Sequence, residues 1–81
     1  MRTVIEIPHS QYKITVFMWN EKYLVEIENG PFKQTFKIPM EHVESEEKVK
    51  SILDEKFLDN LDEQFQKMHD SFRESLFRNE I

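Results

Sequence analysis

With 81 residues and no cysteine, the chain has room for one domain, 1–81, and cannot close a disulfide or offer a thiolate. A single glycine excludes a glycine-rich phosphate loop, and a formal net charge of −5 opposes binding of polyanions by the chain as a whole. No N-terminal apolar segment reads as a signal peptide, and the longest apolar run, Val16 to Trp19, is far too short to cross a bilayer. A cytoplasmic protein without membrane contact is therefore expected.

The charge is unevenly placed. Residues 1–38 hold five Lys or Arg and four acids, whereas residues 39–81 hold six and twelve. The acidic second half fits a long solvated helix and disfavours nucleic acid along it.

Arg2 to Ile7 alternates weakly, with Thr3, Ile5 and Ile7 on one side, and reads as a first strand closed by the Pro8–Gln11 turn. Tyr12 to Trp19 is a second strand, with Tyr12, Ile14, Val16 and Met18 on one face and Lys13, Thr15, Phe17 and Trp19 on the other. Asn20-Glu21 makes a two-residue connection, although it lacks the preferred glycine. Lys22 to Glu28 is a third strand, presenting Tyr23, Val25 and Ile27 to the first of these faces. Asn29-Gly30 is the strongest turn signal in the chain, and Pro31 beside it predicts a loop slightly longer than two residues. Phe32 to Ile38 is the fourth strand, with Phe32, Gln34, Phe36 and Ile38 on one face; Pro39 ends it.

Turn chemistry and alternation agree. Closing the first hairpin at Asn20-Glu21 sets Met18, Val16 and Ile14 opposite Tyr23, Val25 and Ile27. Closing the second around Asn29-Gly30 sets Ile27, Val25 and Tyr23 opposite Phe32, Gln34 and Phe36. Both closures put the apolar side chains on one face, which predicts an antiparallel meander over residues 2–38. Gln34 is the polar intruder, placed at an end of the core or bonded to a helix side chain.

Met40 to Glu44 leads into a helix predicted over residues 45–79, with Ser45 as N-cap, acids in the first turn, and Val43 as a loosely spaced hydrophobic staple. Val49, Ile52, Leu53 and Phe57 form a broad stripe. Leu58, Leu61, Phe65, Met68, Phe72 and Leu76 form a narrower one, rotated from the first by roughly 100° at 3.6 residues per turn. The fold class is thus α+β, a ββββα chain. A helix of about 34 residues spans roughly 50 Å, whereas a strand of about seven residues spans about 23 Å. A straight helix would overhang the sheet by half its length. A kink is also open at Asp59-Asn60, where Asn60 and Glu63 imitate a cap and its partner.

Catalytic equipment is sparse. His69 has Phe65, Gln66, Phe72 and Arg73 at helical offsets, none of them a ligand, and a helix start at Ser45 separates His42 from Glu46. Ser10 beside His9 lacks an oxyanion loop. The helix carboxylates lack the burial that would tune them for acid-base work. No enzyme activity, metal or cofactor is expected.

Two surfaces remain. The narrow stripe Leu61, Phe65, Met68, Phe72 and Leu76 predicts a homodimer, or a higher even oligomer, through the second half of the helix, and another protein is a further partner for such a surface. The alternative uses the back of the sheet, where Phe17, Trp19, Lys22, Lys33 and Lys37 interleave aromatics with lysines as a single-stranded nucleic-acid platform does. In architecture alone, a four-stranded meander followed by a helix resembles the Whirly- and PUR-type single-strand binders, which act as dimers; none of their motifs is present here.

Overall fold

The computed structural model describes residues 2–43 and 45–81, so Glu44 of the expected sheet-to-helix connection lies outside the described residues. Among these residues, period-two alternation builds four strands, β1 (Arg2–Ile7), β2 (Lys13–Trp19), β3 (Lys22–Asn29) and β4 (Phe32–Pro39). They form one antiparallel sheet in the order β1-β2-β3-β4. Two helices follow, α1 (Glu46–Ile52) and α2 (Glu55–Arg78). The layout is ββββα, with the helical stretch divided in two.

The β2–β3 hairpin has the expected register, with Met18, Val16 and Ile14 opposite Tyr23, Val25 and Ile27. Its turn places Asn20 at φ 52° and Glu21 at φ 58°. Two positive φ values make the type I′ turn whose twist suits a hairpin, and here a glutamate occupies the position usually given to glycine. The β3–β4 register differs from expectation by two residues. Val25 faces Phe36, Tyr23 faces Ile38 and Ile27 faces Gln34, with Asn29 opposite Phe32. The loop is the pair Gly30-Pro31 itself, and Gly30 at φ 61° supplies the first position of a II′-type turn. The physical reason lies in the cross-strand pairs. The observed register sets Phe36 against Val25, where the expected one set Gln34. Because the shift is even, every side chain keeps its face.

β1 carries a bulge between Thr3 and Ile5. Thr3 pairs with Phe17 and is exposed, whereas Ile5 pairs with Val16 and packs on the core together with Ile7. Thr3 therefore does not share a face with Ile5 and Ile7, since the extra residue shifts the alternation by one step.

One face of the sheet is covered. Ile14, Val16, Val25 and Ile27 of the central strands cluster with Val43, with Val49 of α1 and with Leu61 and Phe65 of α2. Ser45 caps α1 as expected, its Oγ accepting from the Lys48 amide at 3.3 Å. The single helix expected over 45–79 is interrupted at Leu53, whose φ of −85° and ψ of 57° leave the helix. Asp54 then caps α2, its Oδ1 accepting from the Phe57 amide at 2.9 Å. The break thus falls well before Asn60, which lies inside α2. Competition from the short Asp side chain for the amide of Phe57 is what stops one helix and starts the next.

At the far end the Ile81 amide donates to Leu76 O at 2.9 Å and the Glu80 amide to Phe77 O at 3.1 Å. With Glu80 at φ 59°, this is a Schellman closure made without glycine.

The Asn20-Glu21 turn generates a stability test. Glu21→Gly should raise stability by about 1 kcal/mol, because a side chain at positive φ is strained. The urea midpoint reads it; an unchanged or lower midpoint would mean that the turn is not held in the I′ form.

Candidate interaction surfaces

The path of α2 follows from its ring contacts. Phe57 meets Phe36 of β4 with centroids 5.4 Å apart, Phe65 meets Tyr12 at 5.7 Å, and Phe72 meets Phe32 edge-on at 5.9 Å. The helix therefore descends the sheet toward the Gly30-Pro31 turn. Its 24 residues span about 36 Å at 1.5 Å per residue, longer than any strand beneath it. The last turns project beyond the sheet, in a molecule with extents of 47 × 26 × 20 Å.

This path places two residues of the expected subunit seam in the core. Leu61 and Phe65 are fully buried in the core of the single chain. The expectation that they cannot reach the sheet assumed a straight helix, and the break at Leu53-Asp54 removes that premise. Met68 is half-buried, and Gln34 donates from Nε2 to its Sδ at 3.2 Å. That bond accounts for the polar residue on the apolar face of β4. Leu76 is half-buried, and Phe72 is 53 % exposed. The protruding end adds Phe77 at 86 % and Ile81 at 87 % exposure, two residues that the stripe analysis did not assign. Phe77 stands about 120° around the helix from Phe65, off the core-facing stripe. Its signal was available in the sequence, as an aromatic outside both stripes.

Tyr12 ties the sheet to α2. Its ring is buried and its hydroxyl donates to Asp62 Oδ1 at 3.2 Å. Burial raises its pKa above the usual tyrosine value, and the charge of Asp62, the bond to Asp62 and the charge of Asp59 raise it further. His9 stacks on the Tyr12 ring at 4.9 Å, and its Nδ1 accepts from the Gln11 and Tyr12 amides at 3.1 and 3.3 Å. His9 thus serves the β1–β2 turn.

The back face of the sheet is bare of helix. Trp19 is 49 % exposed and sits opposite Lys22, while Phe17 is half-buried opposite Leu24. The two-residue register shift moves the lysines of β4. Lys37 lies opposite Leu24 rather than beside Lys22, and Lys33 lies opposite Glu28. Lys33 Nζ bonds Glu26 Oε1 at 3.0 Å, and this hydrogen bond is the main cause of its raised pKa. The five residues Phe17, Trp19, Lys22, Lys33 and Lys37 share the face, but Glu26 and Glu28 stand among them and one lysine is already matched.

Among the described residues, no group of three or more His, Asp or Glu side chains is placed to hold a metal ion, and no helix is long and apolar enough to cross a membrane. No protein-family profile matches the chain, and neither a curated protein nor a solved structure matches it.

Two outcomes test these placements. Phe65→Ala should destabilise the fold by about 3–5 kcal/mol, as loss of a core aromatic does, and independently of protein concentration. A concentration-dependent loss in urea titrations would return Phe65 to a subunit seam. For Tyr12, the raised folded-state pKa means that its contribution is complete below the ordinary tyrosine pKa of about 10 and fades as pH rises through the folded value. The unfolded chain then binds fewer protons, so stability falls with pH. The urea midpoint of the wild type should fall more steeply above about pH 10 than that of Tyr12→Phe, and parallel profiles would refute the role given to the buried phenol.

Proposed function

We propose that the chain is a small non-catalytic interaction protein of the cytoplasm that pairs with itself through the projecting end of α2. The observation that carries this reading is the exposure of Phe72, Phe77 and Ile81 at 53, 86 and 87 %, Phe72 beside Phe32 at the margin of the sheet and the other two further toward the C-terminal end. Together they offer on the order of 400 Å² of apolar area, taking ~200 Å² for a large side chain. A standard interface covers about 800 Å² per partner, a little over half of it apolar, so the requirement is similar.

Charge supports the same segment. Residues 54–72 carry six acids against two lysines, and self-pairing there would set acid against acid. Residues 73–81 carry Arg73 and Arg78 with Glu74 and Glu80, a balanced set that a two-fold antiparallel arrangement can match. The pairing surface thus keeps Phe72 and Leu76 from the sequence expectation and exchanges Leu61, Phe65 and Met68 for Phe77 and Ile81.

Trp19, half exposed beside Lys22, supports a second reading as a single-strand nucleic-acid binder. The glutamates on that face and the paired Lys33 make it the weaker one.

Sedimentation equilibrium on the wild type and on a Phe72→Glu, Phe77→Glu double variant separates the readings. The wild type should sediment as a dimer. The variant should be monomeric with an unchanged far-ultraviolet circular dichroism spectrum, because neither residue is buried. A wild type that stays monomeric at every concentration refutes self-pairing. Salt-sensitive quenching of Trp19 by a short single-stranded oligonucleotide would favour the second reading.

A further inference from the structure

The sheet has two edges, and they are built differently. β1 is interrupted by its bulge, which spoils a template for strand addition. β4 runs in unbroken register with β3 from Phe32 to Pro39 and has no strand on its outer side among the described residues. Its core-facing side chains, Phe32, Gln34, Phe36 and Ile38, are only half-buried, whereas Ile14, Val16, Val25 and Ile27 of the central strands are fully buried. α2 lies over this strand, through Phe57 on Phe36 and Phe72 on Phe32, but leaves its core-facing side chains only partly covered.

Between β4 and the α1–α2 junction this leaves a groove of about 250 Å³, lined chiefly by Phe36, Ile38, Ile52, Leu53 and Phe57, with Lys37 the one charged residue at its margin. An apolar groove beside an unpaired strand edge is the arrangement that accepts an added strand. Backbone bonds to the edge hold the segment, and the groove reads alternate side chains. Alternation then fixes the chemistry of the occupant. If one side chain of an added strand enters the groove, its two neighbours fall on the opposite face, where Lys33 and Lys37 stand. Lys33 is bonded to Glu26, and Lys37 makes no ion pair among the described residues.

We propose that the β4 edge docks an extended peptide segment of another protein, in which a large apolar side chain is flanked by acidic ones. The site lies at the opposite end of α2 from the projecting turns, so it is independent of self-pairing. Overall charge works against an acidic ligand, since the chain carries −5, and recognition must therefore be local to β4.

The test uses the full chain and a fluorescein-labelled synthetic peptide alternating Glu with Leu, followed by anisotropy and by amide chemical shifts. Binding should be saturable, with shifts along Phe32–Pro39 and Ile52–Phe57. Lys37→Glu and Ile52→Asp, both at exposed positions, should each weaken it about tenfold. Lys37→Gln, which carries no repulsion, should weaken it less. A matched peptide alternating Lys with Leu should bind more weakly despite its attraction to an acidic protein, and N-methylation of all the backbone amides of the Glu-Leu peptide should abolish binding. The proposal is overturned if no binding occurs, if the lysine peptide binds equally well, if Lys37→Glu has no effect, or if the shifts fall only in residues 72–81. Amide protection along β4 that grows with protein concentration in the absence of peptide would also overturn it, by assigning the edge to a second copy of the chain.

Discussion

The bond from the Phe57 amide to Asp54 Oδ1, 2.9 Å long, decides how this chain covers its sheet. Without a second helix start at that point, Leu61 and Phe65 would continue along the axis of α1 and leave the sheet behind. With it, the two helices take separate directions, and each buries its own residues, Val49 from α1 and Leu61 with Phe65 from α2. The core of a domain this small is marginal by area alone, so losing the α2 contribution would leave a sheet with one wet apolar face. The redirected helix is also longer than the sheet it covers, so its end projects. The cap thus produces both the closed core and the exposed aromatic end.

Much of the sheet was legible because two independent signals converge on it. The Asn20-Glu21 connection and the alternation of Tyr12–Trp19 with Lys22–Glu28 specify one register, and that register is observed. The second hairpin was harder to read. Asn29-Gly30 is the stronger dipeptide by composition, but the turn is Gly30-Pro31, since the positive φ falls on Gly30 and proline can take only the negative φ that follows. An even error of two residues leaves the faces intact, and so the core residues on β4 were still identified. The bulge in β1 left no mark in the alternation, which is weak in that strand.

The helical break leaves its marks in the sequence around Asp54 rather than at Asn60. The rotation between Val49, Ile52 and Leu53 on one side and the residues from Leu58 to Leu76 on the other reflects the change of helix, with Phe57 of the first stripe already lying in α2. Leu53 and Leu58 have the spacing of a hydrophobic staple around an Asp54 cap, and both pack against the core. Asn60 drew attention as a weak helix former, but propensity yields to packing where Leu61 beside it is buried. Leu61 and Phe65 are core because the helix turns, and Phe77 and Ile81, which belong to neither stripe, are left outside with Phe72.

The order of elements along the chain has a consequence for synthesis. A meander pairs each strand with the one just made, so the sheet can assemble as it leaves the ribosome, with short loops to close. Its cover comes last. Between the emergence of Pro39 and that of Phe65, the nascent sheet shows Ile14, Val16, Val25 and Ile27 to water on one face and has two open edges. A hydrophobic, edge-exposed intermediate of this kind is a template for aggregation between nascent chains. The bulge in β1, the exposed lysines at 33 and 37 and the proline at 39 all sit on those edges. In the finished molecule they bound the sheet; on the nascent chain they act as gatekeepers during the interval before α2 arrives.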